Sequence, residues 1–151
     1  MQTYPLLPAD MEALMRLARQ MHTEGIYSPY PLHEDRTKFV LLDLINNPDI
    51  LSAGVAIGGQ IVGAIFAEVH EDVWTEVRVA SDIAFFVDRA YRGSKAGLTL
   101  MLEFERWAYN CAGAQLLRPS VHVGIDNAKA GAFLRNMGYT PAGEIFMKEA
   151  G

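Results

Sequence analysis

The hexapeptide Arg92-Gly-Ser-Lys-Ala-Gly97 sets two glycines four residues apart, with two cations, between an apolar run and a helical pattern. A strand that enters a helix through such a turn leaves amide groups at the helix start without intrahelical partners. Those amides favour an anion, and a pyrophosphate in particular. Gly93 lets the chain approach a ligand closely, and Gly97 permits tight packing where helix meets strand. The amides of Ser94, Lys95 and Ala96 are expected in the first helical turn, with Arg92 and Lys95 adding charge suited to phosphate. An ordinary strand-to-helix turn with a solvated arginine and lysine would use the same residues, since short glycine motifs arise by chance. A dinucleotide site would place its glycines after the first strand, with an acidic residue about 20 residues on. A nucleoside-triphosphate loop would end in Gly-Lys-Ser/Thr. This turn comes late and ends Ala-Gly-Leu, so neither alternative fits.

Helices and strands on both sides of the turn must hold it in place. Met11, Leu14, Met15, Leu17, Ala18 and Met21 form the apolar face of a first helix opening after Pro8-Ala-Asp10. A loop from Gly25 to Pro31 leads to a second helix over Glu34–Ile45, with Phe39, Leu42 and Ile45 expected inward and Asn46-Asn47-Pro48 stopping it. Ile50–Ile57 and Ile61–Val69 read as strands joined at Gly58-Gly59, a hairpin signal. Trp74–Val87 contains the next strand, with a bend expected near Ala80-Ser81. Gly97–Tyr109 is a helix with Leu98, Met101, Leu102, Phe104 and Ala108 as its apolar positions, ended by Gly113. Leu116–Val123 is a strand in which Pro119 implies a bulge or an edge. A short helix over Asn127–Met137 and a strand over Glu144–Lys148 complete the chain. The order α-α-β-β-β-α-β-α-β predicts an α/β fold with a central mixed sheet flanked by helices.

The 151 residues are half apolar and 21% charged, which is the composition of one globular domain spanning 1–151. A net charge of −5 gives no electrostatic footprint for nucleic acid or an anionic membrane. The single cysteine, Cys111, excludes an internal disulfide framework and fits a reducing compartment. No apolar run approaches the roughly 18 residues of a membrane span. The N-terminus lacks the basic and apolar regions of a signal peptide. The expectation is a soluble cytoplasmic protein. Four histidines and one cysteine show no metal-ligand spacing. Trp74 and Trp107 read as core or interface residues rather than cofactor contacts.

Two stretches together resemble the GNAT superfamily of N-acetyltransferases. That family carries Arg/Gln-x-x-Gly-x-Gly/Ala after a strand ending Val-x-Pro-x-Tyr. Val87-Asp-Arg-Ala-Tyr91 precedes the hexapeptide here, with Arg89 at the usual proline and Lys95 at the middle glycine. The second stretch, Asn127-Ala-Lys-Ala130 through Asn136-Met-Gly-Tyr139, resembles the family's Asn-x-x-Ala…Leu-Gly-Phe/Tyr helix. The resemblance covers most of the chain after Ile50 and is closest in texture to bacteriophage and bacterial members. It implies acetyl-CoA as co-substrate, with Arg92, Gly93, Ser94, Lys95, Ala96 and Gly97 on the pyrophosphate. The strand before the turn would be bulged and splay from its neighbour, its amides around Phe86 and Val87 holding the pantetheine and the thioester carbonyl, and Asn127 would lie beside the arm. A small-molecule or protein amine would accept the acetyl group by direct attack in a ternary complex, and homodimers are frequent in such families. Two departures bear on this. Lys95 puts a side chain where the pyrophosphate would pass, and Leu134 stands where many members carry a tyrosine that protonates the leaving thiolate. These favour the alternative of a GNAT-like module that binds CoA weakly, or serves a binding or structural role.

Amine acylation needs a neutral amine, a positioned carbonyl and a donor for the oxyanion; a base contributes about 10²–10⁴-fold. Asp82 stands in an apolar strand run where acidic residues are depleted, so it is a candidate base or a turn cap with Ser81. His70, with Glu71 beside it at a strand end, is a second candidate, and a solvated loop histidine is its other reading. His122 alternates with Val121 and Val123 and faces either the acyl site or solvent; Glu68 and Glu76 are weaker candidates. His22, Glu24, Tyr27 and Tyr30 lie where the resembling family binds its acceptor and would suit a cationic amine, or simply line a surface loop.

Overall fold

Strand order in the sheet repeats chain order. In the computed structural model, which describes residues 1–121 and 125–151, β1 (Thr3–Pro5), β2 (Leu51–Ile57), β3 (Gln60–Glu71), β4 (Arg78–Val87) and β5 (Leu116–Leu117) lie side by side. The first three pairings are antiparallel, and tight turns suffice for β2–β3 and β3–β4. The β2–β3 turn is Gly58-Gly59, with φ of 59° and 78°, the left-handed pair that a two-residue hairpin requires. β4 and β5 run parallel, so a crossover is needed, and α3 (Ala96–Asn110) supplies it. The remaining helices are α1 (Met11–Glu24), α2 (Glu34–Asn46) and α4 (Asn127–Asn136). The expected α/β mixed sheet with flanking helices is the architecture that forms.

Each sheet face has its own core. Leu100, Met101 and Phe104 of α3 pack on Val55, Val62 and Ile65; Leu14 and Leu17 of α1 pack on Ala64, Phe66 and Phe86. Burying a side chain such as Phe104 contributes on the order of 2–3 kcal/mol. These cores fix the height and tilt of α1 and α3 over the strands between them.

Several expectations are corrected. In α2 the inward residues are Leu41, Leu44 and Ile45, whereas Phe39 is 72% exposed and Leu42 is also exposed. At 100° per residue Phe39 lies about 200° from Leu41, so the two cannot share a face. The same geometry turns Leu98 and Leu102 outward on α3, each two residues from a buried Leu100 or Phe104. Trp74 is 90% exposed at the β3–β4 turn rather than in a core. Glu144–Lys148 forms no strand; Ile145, Phe146 and Met147 are exposed. Alternation alone does not make a strand without a neighbouring edge to pair with. β1 escaped the sequence reading because it has three residues and ends at Pro5, below the length at which alternation shows. The strand expected over Leu116–Val123 is paired at Leu116–Leu117; residues 122–124 lie outside the described residues.

Candidate functional site

β4 carries a bulge, as the GNAT resemblance implies for the strand before the turn. Phe66 of β3 faces Ala84, but Ala67 faces Asp82, so Ile83 is the extra residue. A bulge bends its strand and reverses the facing of the residues beyond it. Ala80 accordingly packs in the α3-side core and Ala84 in the α1-side cluster, although the two are four positions apart and would share a face in a regular strand. β5 keeps step only up to this point. Arg118 N donates to Ala80 O at 2.8 Å, the last backbone bond to β4 among the described residues. Ser120 N then donates to the Asp82 side chain, at Oδ1, at 2.8 Å, and Ser120 Oγ to the same oxygen at 3.3 Å. Asp82 therefore stands at a fork, where a carboxylate takes over from main-chain pairing. Beyond it, no strand among the described residues covers that edge of β4, which runs through Phe86 and Val87 to the glycine turn.

The turn is tightly organised before α3 begins. Asp88 Oδ1 accepts from Ala90 N at 3.0 Å and caps a 3₁₀ turn over Arg89–Tyr91. Gly93 sits at φ +86°, which a side chain resists, and a Cβ there would meet nothing within 4 Å. The concavity above it is open. Ser94 N donates to Tyr91 O at 3.1 Å, and Ala96 N to Ser94 Oγ at 3.2 Å. Two of the three amides assigned to an anion are thus engaged within the turn. The bond from Thr99 N to Lys95 O opens the helical ladder, so Gly97 and Leu98 supply amides ahead of it. Lys95 has φ −73° and ψ −5°, ordinary helical backbone, so its replacement of the family's glycine costs no strain. A Cβ at Gly97 would lie 3.8 Å from Phe85 Cζ and 3.9 Å from Val87 Cγ2, so the packing there is ordinary rather than tight.

Arg92 is exposed, yet its guanidinium is engaged within the fold. Its Nη2 meets Glu24 Oε2 at 2.6 Å, its Nε donates to Val87 O at 3.0 Å, and its guanidinium lies 5.1 Å from the Phe86 ring centroid. Glu24, expected to face an acceptor, is instead committed to Arg92 and to Arg89, whose Nε stands 3.2 Å from Oε1. Two α1 residues one and two turns earlier do similar work. Arg16 pairs with Asp88 and donates to Ile61 O at 2.6 Å; Gln20 Oε1 accepts from Arg89 N at 3.0 Å. Asp88 is only 6% exposed. Burial pushes its carboxyl up, but the Ala90 amide, Arg16 and Gln20 outweigh that and hold it below its ordinary value. Sequence reading missed Arg16, Gln20 and Asp88; their signal was the spacing 16, 20, 24 of polar residues on one helical face.

The other candidates are dispersed. His70 pairs with Val79 and lies 3.4 Å from Arg118 Nη2, three rungs from Asp82, or roughly 10 Å along the ladder. The structure does not bring the two together. Glu71 sits 3.8 Å from Arg78 at the far end of β3, Glu68 opposite Ser81, and Glu76 in the β3–β4 turn. His122 lies outside the described residues. Asn127 opens α4 at an exposed position, behind an Asp126 cap. Leu134 is packed against the α3-side core, as is Phe133. Tyr139 donates to Glu105 Oε1 at 2.9 Å, and burial together with that carboxylate pushes its hydroxyl well above the usual range. Tyr27 and Tyr30 are exposed. Close to the fork, a cavity of about 50 Å³ opens between α1, α2 and the sheet, lined by Leu17, Met21, Leu41, Phe66, Ala84 and Phe86 among others.

The family model described as Acetyltransferase (GNAT) family matches residues 11–139, so the chain belongs to that family. It is an acyltransferase by that membership. No curated protein sequence matches it. Among solved structures it is similar to the aminoglycoside 6'-N-acetyltransferase AAC(6')-Ih from Acinetobacter baumannii, at 19% identity and TM-score 0.74 over 99% of both chains. It is similar, too, to the ribosomal-protein-alanine N-acetyltransferase from Brucella melitensis biovar Abortus, at 12% identity and TM-score 0.71, over 99% of this chain and 100% of that one. A third likeness is AAC(6')-Iy in complex with the bisubstrate analogue CoA-S-monomethyl-acetylneamine, at 14% identity and TM-score 0.76, over 99% of this chain and 97% of that one. At these identities the likeness is one of fold. No helix among the described residues is long and apolar enough to cross a membrane.

Proposed function

We propose that the protein transfers acetyl from acetyl-CoA to a primary amine by direct attack in a ternary complex. The observation that carries this reading is the fork: β4 parts from β5 at Asp82, and its edge, uncovered by any strand among the described residues, leads to an open glycine turn at the start of α3. A pantetheine arm can pair along that edge at Phe86 and Val87. The amides of Gly97 and Leu98 and the Lys95 ammonium suit the pyrophosphate. A bisubstrate analogue carrying CoA, bound by a protein of this fold, supports the choice of donor. The amine nitrogen attacks the thioester carbonyl, the C–S bond breaks, and the thiolate leaves with the carbonyl rebuilt as an amide. Asp82, its carboxylate oriented by Ser120, takes the amine proton directly or through water. A free thiolate has a pKa near 8.5, so solvent can protonate it without a tyrosine at Leu134.

One observation favours a donor-binding module without turnover. Leu134 is core, and the one tyrosine beside it, Tyr139, is tied to Glu105. Calorimetry with acetyl-CoA, then thiol release over a panel of small amines and amine-bearing peptides, separates the two. The expected result is binding at micromolar donor and release with at least one amine. The Asp82→Asn variant should be slowed about 100-fold. No binding at millimolar donor would sink the acyl-CoA reading, and binding without release on any amine would favour the module.

A further inference from the structure

The turn is held from α1 by Arg16, Gln20 and Glu24, and Glu24 is the one of the three that meets Arg92. Glu24 ends α1, where the helix presents its negative pole, so a carboxylate there is disfavoured by the helix itself. Its side chain is 14% exposed, and Oε1 accepts no hydrogen bond among the described residues. A carboxylate in so poor a place is retained by what it pairs with: Arg89 at 3.2 Å, which opens the 3₁₀ turn, and Arg92 at 2.6 Å, which follows it. Arg92 spans the gap between the two elements, since the same guanidinium that meets Glu24 also donates to Val87 O and lies over Phe86.

Resting on the reading of this turn as the acyl-donor site, we infer that Glu24 is a positioning residue and Arg92 a strut. Together they fix the Gly93–Gly97 turn in the shape that receives the pyrophosphate, and Arg92 is not itself a phosphate ligand. The contrary view makes the opposite prediction. If Arg92 were a ligand held back by Glu24, removing the carboxylate charge would free it and tighten CoA binding.

The test measures CoA affinity by calorimetry and tryptic cleavage of the ligand-free protein after Lys95. Glu24→Gln should weaken CoA about tenfold, the worth of one charge-assisted hydrogen bond, and speed the cleavage. Arg92→Gln should do both to a similar extent, and the double variant should be no worse than either single one, because one strut is lost once. Rate measurements with any active amine should show the loss in KM for acetyl-CoA rather than in kcat. Tighter CoA binding by Glu24→Gln, additive losses in the double variant, or unchanged affinity and cleavage would each overturn the inference. Should Glu24→Gln fail to fold, Arg92→Gln reads the same strut from the other side. A wild-type protein that bound no CoA would overturn the donor-site reading on which the inference rests. Cleavage of the ligand-free variants would then still report whether the strut exists.

Discussion

Asp88 shows how one buried carboxylate can be settled by its neighbours. Burial disfavours its charge, yet the Ala90 amide, Arg16 and Gln20 together leave it more acidic than the ordinary 3.8. A depressed folded pKa means the ion adds stability above about pH 4 and loses it as pH falls through the folded value. Asp88→Asn should therefore cost about 1.5–3 kcal/mol at pH 7, the range for hydrogen bonds to a charged group. The cost should shrink at pH 3. Urea unfolding at the two pH values checks this, and an equal cost at both would place the stabilising charge elsewhere. Asp82 lies elsewhere, at the fork, where its Oδ1 accepts from the backbone amide and the hydroxyl of Ser120.

At the scale of elements, the bulge at Ile83 is what makes β4 fit its task. Deleting Ile83 would leave both halves of the strand on their present faces, since Asp82 would then precede Ala84 in a regular ladder. The core should survive while the bend is lost. The expected outcome is a melting temperature within a few degrees of wild type and CoA affinity at least tenfold weaker; unaltered affinity would show that the bulge does not create the fork. The residues alone do not place the bulge, because it is set by pairing between strands and the apolar run Ile83–Val87 reads alike with or without it; only the family resemblance implied a bulged strand here. The glycine turn, the hairpin at Gly58-Gly59 and the order of long elements were legible, since local backbone chemistry and periodicity dictate them. Helix faces were legible for α1, where the stripe is strong. They misled for α2, where Phe39 and Leu42 are as apolar as the residues that pack. The roles of Glu24 and Arg92 were invisible because 68 residues of chain separate partners that touch only after folding.

For the whole molecule, the strand order β1-β2-β3-β4-β5 means that most pairings join neighbours in sequence. The antiparallel β1–β2 pairing spans α1 and α2, and the parallel β4–β5 pairing spans α3 and holds two rungs among the described residues. Non-local parallel pairing with little ladder is the costly, weakly held kind. Native-state hydrogen exchange should therefore find the amides of β3 and the middle of β4 the slowest, and those of Leu117, Arg118 and Ser120 exchanging well before them through local opening. Uniform protection across the five strands would contradict this. The two-rung junction has a consequence beyond its place in the sheet. The cleft is bounded on one side by the most cooperative part of the fold and on the other by a segment that opens on its own. Breathing of β5 can then widen the cleft without melting the strand that orients the reactants, so entry and exit of a long ligand need not compete with global stability.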